Sequence, residues 1–243
     1  MHRHLTYFVS DVHLGLDVAN PRGREERFVK MLRSIPSEET EALYLLGDVW
    51  DFWYEYKYVV PKGYVQVFAA LQDLMSGGVK VYFFQGNHDI WTYSYFQSLG
   101  MIPLRQPYVT EIGGKRFCLG HGDGLGPGDA GYKFMRVAFH NKILQWMFST
   151  LHPRIAFALG RGWSRRSRLA KSVSYTFRGV DEPLYKFCAS FPEPVDFFIF
   201  GHYHCMEDME IQKSRLLLLG DWITNSNWLV FDGKEITRVV EEV

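Results

Sequence analysis

Five apolar segments of this chain each end in a small group of side chains that can coordinate a metal ion. Apolar runs of about five residues rich in Val, Leu, Phe and Tyr are typical of buried strands, and a glycine after such a run allows a sharp turn. Ligands of open α/β sheets bind beyond the carboxyl ends of the strands, so we expect the five loops to converge on one centre. The groups are Asp11-Val12-His13, Gly47-Asp48-Val49-Trp50-Asp51, Gly86-Asn87-His88-Asp89, Gly120-His121-Gly122-Asp123 and Gly201-His202-Tyr203-His204.

The length of the chain and its periodic patterns predict one domain with an insert. At 243 residues it lies between one large domain and two small ones, if a domain averages roughly 150 residues. Helical periodicity covers residues 24–33 and 64–76, and Gly113-Gly114 and Asp232-Gly233 have the composition of hairpin turns. We therefore predict a single α/β domain over residues 1–243, a sandwich with a mixed sheet core. Later strands are expected at Ile211 and at residues 216–219, 228–231 and 236–240.

Apolar runs and cysteines indicate the compartment. The first apolar run, residues 5–9, is too short for a signal peptide, and no run approaches the ~20 residues of a membrane span. The three cysteines, Cys118, Cys188 and Cys205, are widely spaced and form no Cys-x-x-Cys pair, so we expect reduced thiols. Both patterns predict a cytoplasmic protein.

Residues 130–180 differ from the rest of the chain in charge. The segment contains no Asp or Glu, although the whole chain has a net charge of zero. Its aromatic residues have spacings suited to amphipathic helices, and we expect Pro153 to begin one helix and Gly160 and Gly162 to interrupt it. A pair of core helices with a solvated basic face is the plain alternative to a functional basic surface. The basic residues are Lys133, Arg136, Lys142, Arg154, Arg161, Arg165, Arg166, Arg168, Lys171 and Arg178.

Seven side chains of the strand-end groups divide into two coordination spheres that share the carboxylate of Asp48. A bridging carboxylate holds two ions about 3.5 to 4 Å apart, a separation suited to in-line displacement at phosphorus by a water that the ions activate. Carboxylate, amide and imidazole ligands without thiolate favour Mn²⁺, Fe or Zn²⁺ over Ca²⁺, and we expect manganese first. The predicted spheres are Asp11, His13, Asp48 and His204 for one ion, and Asp48, Asn87, His121 and His202 for the other.

His88 remains once the metal ligands are assigned. Its neighbour Asn87 places it at the rim of the site, where a phosphoryl oxygen or leaving group would lie. We predict that His88 stabilises the transition state or donates a proton, and that Asp51 orients its other ring nitrogen.

The series of motifs from Ser10 to His204 resembles the calcineurin-like metallophosphoesterases in both order and spacing. The resemblance implies a four-layer αββα sandwich with a two-metal centre at the strand ends, and it supports the ligand assignment above.

Within that superfamily the chain looks like the UDP-2,3-diacylglucosamine pyrophosphohydrolases of lipid A synthesis. The similarity lies in the compact length, in His121-Gly122-Asp123 followed by Asp129-Ala130-Gly131-Tyr132, and in the basic helical insert. It implies hydrolysis of a lipid-linked UDP-sugar to UMP and 2,3-diacylglucosamine 1-phosphate, by attack of water on the alpha phosphorus. It also implies that the insert, residues 130–180, is a cap whose apolar lining receives the acyl chains.

The same resemblance suggests residues that bind the substrate. Asp129 would contact the glucosamine, and Ser164, Arg168 and Lys171 have the spacing of a substrate-binding helix face in the cap. The family commonly has Asn at the position of Arg168. Its well-known branch has Arg at the position of His88, where histidine is the general superfamily residue. Asn87, His88 and His202 would contact the substrate from the core.

A chain without a membrane span must still reach a lipid substrate. The basic, aromatic-rich insert predicts peripheral association with an anionic inner-membrane surface. No nucleic-acid partner and no obligate protein partner are expected, because the positive charge lies in one apolar helical insert.

Two alternative functions remain. One is an enzyme of the same fold acting on a soluble nucleotide. The other is a binding module that has lost catalysis, which the seven filled ligand positions disfavour.

Overall fold

Strands and helices alternate along the first third of the chain, and strands dominate its end. The structure, a computed structural model, describes residues 3–128, 130–171 and 176–242, and only the backbone of residues 165–171. The strands are β1 (Leu5–Val9), β2 (Thr40–Leu45), β3 (Lys80–Phe84), β4 (Ile102–Leu104), β5 (Tyr108–Ile112), β6 (Lys115–Leu119), β7 (Phe197–Phe200), β8 (Glu207–Ile211), β9 (Ser214–Leu218), β10 (Asn225–Phe231) and β11 (Ile236–Glu242). The helices are α1 (Pro21–Ser34), α2 (Val65–Ser76), α3 (Tyr95–Ser98), α4 (Ala130–His140), α5 (Lys142–Ser149), α6 (Pro153–Lys171) and α7 (Pro183–Ala189).

The strands form two mixed sheets. The first has six strands in the order β11-β10-β1-β2-β3-β4, and the second has five in the order β5-β6-β7-β9-β8. Neighbouring strands β1, β2 and β3 are parallel in the first sheet, as are β6, β7 and β9 in the second. The carboxyl ends of these parallel strands therefore lie at one edge of each sheet.

Successive side chains of the central strands point to opposite faces of the sheet, and each face packs against a different layer. In and just after β2, Leu43 and Leu45 pack with α1 and α2, whereas Tyr44 and Leu46 pack against the second sheet. Outward-facing residues of the second sheet, such as Phe198, pack against α7. Both faces of the central strands are buried, which explains their continuous apolar runs. The predicted four-layer αββα sandwich is confirmed.

The helix ends follow local signals except in one place. Asn20 caps α1 by accepting a hydrogen bond from the backbone of Gly23 at 3.1 Å, so the helix starts before the predicted residue 24. Pro153 begins α6 as predicted. The expectation that Gly160 and Gly162 interrupt that helix was wrong, because α6 continues through both.

Helices α4, α5 and α6, which we call the cap, fall inside the predicted insert. They contact the core through hydrogen bonds to main-chain oxygens, from Trp91 Nε1 to Phe139 at 3.0 Å and from Tyr54 Oη to Gln145 at 2.9 Å. In the described part of the chain, no helix combines the length and apolar character that crossing a bilayer requires.

Candidate metal centre

The two sheets bring the predicted ligand groups together at one edge. The loops after β1 and β2 are joined by backbone hydrogen bonds, from Asp11 N to Gly47 O at 3.1 Å and from His13 N to Asp48 O at 3.0 Å. Ligand atoms of Asp11, His13, Asp48 and His204 all lie within 4.8 Å of one another. Residues far apart in sequence therefore share one pocket.

The first predicted coordination sphere is assembled around the facing imidazoles of His13 and His204. Their Nε2 atoms are 3.3 Å apart, and Asp11 Oδ1 lies 3.3 Å from His204 Nε2 and 3.6 Å from His13 Nε2. Asp11 Oδ1 is buried, and no hydrogen bond reaches it from residues that the structure describes. A buried carboxylate oxygen beside two imidazole nitrogens fits a divalent cation.

The second predicted sphere adjoins the first through Asp48. Asp48 Oδ2 lies 3.8 Å from His13 Nε2 and 3.4 Å from His121 Nε2, between the two groups. Asn87 Oδ1 lies 3.2 Å from His121 Nε2 and 2.8 Å from His202 Nδ1. This placement is compatible with Asp48 as the shared ligand, and the division into two spheres remains a prediction.

Hydrogen bonds from outside the cluster orient its side chains. His121 Nδ1 is 2.9 Å from the main-chain oxygen of Leu46, so its Nε2 points to the cluster. The backbone N–H of His202 donates to Asp11 Oδ2 at 2.9 Å, and that of His88 donates to Asp48 Oδ1 at 2.8 Å. Such outer contacts fix the orientation of ligands in metal sites.

Strained backbone conformations are concentrated in these loops. Five of the predicted ligands have φ between 51° and 70°, the left-handed region that non-glycine residues rarely adopt. Each such residue costs of order 1–3 kcal/mol, and clusters of them occur at functional sites, where the surrounding structure enforces them. The five are Asp11, His13, Asp48, His202 and His204.

Two glycines let the loops approach closely. A Cβ on Gly86 would overlap Asp48 Oδ1, and a Cβ on Gly201 would overlap Ser10 Oγ and Asp11 Oδ2. The glycines of these motifs are therefore required for contact between loops as well as for turning.

The charges of the cluster depend on one another. Burial alone would lower the pKa of His121, but the carboxylate of Asp48, followed by those of Asp11 and Asp123, raises it to about 10. Burial likewise raises the pKa of Asp48, yet the imidazoles of His121 and His88 hold it well below its usual value. Ionised carboxylates thus stand beside a protonated imidazole at neutral pH, and a bound cation would displace that proton.

His88 and Asp51 are in contact, and the closer contact is made by the main-chain oxygen of Asp51. His88 Nδ1 lies 2.9 Å from the main-chain oxygen of Asp51 and 3.7 Å from its carboxylate. The carboxylate oxygen Oδ1 is 3.5 Å from His13 Nδ1, and Oδ2 accepts a hydrogen bond from Ser164 at 2.7 Å. Asp51 therefore orients His88 through its carbonyl, while its carboxylate joins the core to the cap.

A cavity of about 420 Å³ lies between the cluster and the cap. Asn87, His88 and His202 line its core side, and Ser164 lines it from α6. Most of the remaining lining is apolar and includes Trp91, Met135, Phe139, Phe148 and Trp163. Of the other predicted substrate-binding residues, Asp129 lies outside the described residues, and so do the side chains of Arg168 and Lys171.

Three carboxylates of the motifs and their surroundings have roles that sequence reasoning missed. Asp89 accepts hydrogen bonds from the backbone N–H of Gly86 at 2.7 Å and of Val49 at 2.9 Å, and so ties two loops together. Asp123 accepts from Tyr132 of α4 at 2.8 Å. Asp221 lies against His204, and the available signal was Gly220-Asp221 after an apolar strand, the same pattern as in the other groups.

The chain is similar to proteins of known family. The profile of the family described as calcineurin-like phosphoesterase matches residues 5–206. A UDP-2,3-diacylglucosamine hydrolase of Porphyromonas gingivalis is 35% identical, with 98% of this chain and 97% of that protein covered. A protein of the same name from Aeromonas salmonicida is 33% identical, with 93% and 89% covered. A solved archaeal phosphodiesterase aligns over 98% of this chain and 99% of its own at 13% identity, with a TM-score of 0.48.

Proposed function

Because the chain belongs to the calcineurin-like phosphoesterase family, we propose that it is a metal-dependent hydrolase that cleaves the pyrophosphate bond of UDP-2,3-diacylglucosamine. The products are UMP and 2,3-diacylglucosamine 1-phosphate. Relatives that align over nearly the whole chain bear the name of this hydrolase, which supports the substrate as well as the chemistry.

One observation favours a lipid-linked substrate most strongly. The cavity beneath the cap has the metal cluster at one end and an apolar lining from the cap helices at the other. Asn87, His88 and His202 lie at the junction, where a phosphoryl group between an anionic and an acylated portion would be placed. A volume of about 420 Å³ is within the range of sites that bind small ligands.

The seven predicted ligands would hold two divalent ions, with manganese the preferred metal. The donor set fits, because buried oxygens and imidazole nitrogens converge without any thiolate. When bound, such ions neutralise charge on phosphoryl oxygens and lower the pKa of bound water towards neutrality.

His88 acts on the substrate from the rim of the cluster. Its Nδ1 donates to the carbonyl oxygen of Asp51, and the residue lines the cavity beneath the cap. With a proton on both nitrogens, the ring stabilises developing negative charge on the phosphoryl group or protonates the leaving group. Full turnover by His88→Ala with metal bound would contradict this role.

The direct test combines purified protein, Mn²⁺, UDP-2,3-diacylglucosamine and a panel of soluble nucleotides, with release of UMP as the readout. We expect turnover of the diacylated substrate that a chelator abolishes, and labelled oxygen from water should enter UMP. Preferential hydrolysis of a soluble nucleotide would favour a nucleotide phosphodiesterase, and metal binding without turnover of any substrate would favour a binding module.

We also propose that the cap brings the protein, from the cytoplasm, to the anionic surface of the inner membrane. Phe134, Ile143 and Trp146 are each at least 68% exposed, and the insert that contains them has no acidic residue. Apolar side chains surrounded by lysine and arginine suit the interface of an anionic bilayer.

Co-sedimentation with vesicles tests the membrane surface. Binding to anionic vesicles should weaken as salt rises and should be lost in Trp146→Ser. Val65→Ser is the matched control, because Val65 is 70% exposed but lies at the start of α2 rather than in the cap. Equal loss in both variants, or no binding at low salt, would contradict the proposal.

A further inference from the structure

A sixth loop, which carries the carboxylate of Asp221, reaches the candidate metal centre from β9. Strand β9 is parallel to β7, and the chain continues from it through Gly220 and Asp221 at the same sheet edge. This loop lies beyond residue 206, where the match to the family profile ends. No role in the site follows for Asp221 from the five motifs.

Asp221 contacts one of the predicted metal ligands. Its Oδ2 atom is 3.1 Å from Nδ1 of His204, while Nε2 of the same ring faces His13 and Asp11. The Asp221 side chain is 11% exposed, so the contact is largely shielded from water.

We propose that Asp221 is a positioning residue that fixes the tautomer and orientation of His204 for metal binding. The inference rests on the proposed metal site and extends it. An ionised carboxylate can only accept hydrogen bonds, so His204 Nδ1 must carry the proton of this contact, and Nε2 of the neutral ring presents its lone pair to the cluster. A carboxylate partner also makes the imidazole a stronger metal ligand.

The turn that contains Asp221 holds the carboxylate in this position. Its other oxygen, Oδ1, accepts hydrogen bonds from the backbone N–H of Ile223 at 2.9 Å and of Thr224 at 2.8 Å. Asn227 Nδ2 donates to the main-chain oxygen of Asp221 at 3.3 Å. Two backbone donors therefore determine which side-chain atom faces the turn and which faces His204.

That arrangement makes Asp221→Asn an informative variant. The two backbone donors require an oxygen at the Oδ1 position, so the amide nitrogen would face His204 and donate to Nδ1. The ring would then carry its proton on Nε2, the tautomer that cannot bind metal at that atom. The turn itself keeps its hydrogen bonds.

Asp232→Asn is the matched control. Asp232 Oδ1 accepts from the backbone N–H of Lys234 and of Glu235, both at 2.8 Å, in the same kind of turn. The residue lies between β10 and β11, away from the predicted ligands. The two substitutions therefore differ in the histidine contact and not in the turn chemistry.

The test measures Mn²⁺ affinity of metal-free protein by calorimetry, with the melting temperature before metal addition as a check of the fold. We expect Asp221→Asn to weaken one of two sites 10- to 100-fold, and Asp232→Asn to change neither by more than about threefold. An Asp221→Asn affinity within threefold of the wild type overturns the inference. Wild-type protein that binds no Mn²⁺ would instead overturn the proposed metal site.

Nitrogen-15 spectra of the wild type test the inference without any variant and decide it if Asp221→Asn fails to fold. In metal-free protein, at a pH at which the ring is neutral, His204 should carry its proton on Nδ1. A proton on Nε2 would overturn the inference.

Discussion

The metal cluster and the cap are built in opposite ways. Asp11, His13 and His121 are fully buried and are held by partners on neighbouring loops, some of them in a strained backbone conformation. In the cap, by contrast, Phe134 and Trp163 are 77% and 58% exposed although they are large apolar residues. Neighbouring loops hold most of the cluster in place, whereas the cap leaves much of its apolar surface uncovered.

The difference corresponds to two tasks: the cluster holds metal ligands in fixed positions, and the cap accommodates flexible apolar groups. A two-metal site requires ligands held within fractions of an ångström, which rigid strand ends with close loop contacts can provide. A pocket for flexible acyl chains needs apolar surface and room to adjust, and exposed apolar surface of this kind also suits contact with a membrane. Substitutions in the two regions should therefore affect different measured quantities.

The largest effect is expected at the residue that both predicted coordination spheres share. Asp48→Ala removes the carboxylate that lies between His13 and His121, so the loss is expected to exceed roughly 10³-fold in kcat. Metal content measured by mass spectrometry should fall in parallel. Asp73→Ala, on the far layer in α2, is the control, and substantial turnover by Asp48→Ala would contradict the shared-ligand assignment.

The same glycine-to-alanine change should have opposite results in the two regions. In Gly201→Ala the new Cβ overlaps Ser10 Oγ and Asp11 Oδ2, so we expect loss of metal affinity and a fall of about 1–3 kcal/mol in unfolding free energy. In Gly131→Ala no atom of the described residues lies within 4 Å of the new Cβ, and helix α4 should gain about 0.5–1 kcal/mol. Urea unfolding measures the stability of both variants. Equal destabilisation by the two substitutions would contradict the difference between the cluster and the cap.

The strand-end motifs could be predicted from sequence because the central strands are buried on both faces and therefore have continuous apolar sequences. Each run marks where a strand ends, and the parallel order then places Asp11, Asp48 and Asn87 at one edge. Local patterns alone predicted an α/β sandwich with a mixed sheet core and the convergence of these groups, whereas the four-layer arrangement followed from the family resemblance.

Features that depend on contacts between distant elements could not be predicted in this way. The role of Asp221 requires knowing that β9 lies beside β7. Spacing could not distinguish the carbonyl of Asp51 from its carboxylate as the partner of His88. Short elements were missed as well, because α3 has four residues and β4 has three, too few to show a period.

Gly160 illustrates the same limit and provides a test of the cap. Sequence alone predicted a helix break there, but a Cβ on Gly160 would overlap the Phe52 ring, so the glycine allows α6 to pack closely on the core. Gly160→Ala should displace the cap and raise KM about tenfold, or 1.4 kcal/mol, with little change in kcat. In Gly162→Ala no atom that the structure describes lies within 4 Å of the new Cβ, so this variant should leave KM unchanged. Equal KM values for the two variants would contradict this contact.

The smallest effect is expected at an exposed ion pair outside both regions. It gives the size of an ordinary surface contribution, with which the other effects can be compared. Arg215 Nε donates to Asp208 at 2.7 Å, and chiefly this hydrogen bond lowers the pKa of Asp208. The pKa of Asp208 is lower in the folded than in the unfolded protein. The ion pair therefore contributes its full stability at pH values above the unfolded pKa, and this contribution is lost as the pH falls through the folded pKa. Asp208→Asn should therefore lower the unfolding free energy by less than about 1 kcal/mol at pH 7, a difference that disappears on acidification. Urea unfolding across pH measures it, and a cost equal to that of Gly201→Ala would mean that the metal loops are no more tightly constrained than an ordinary surface pair.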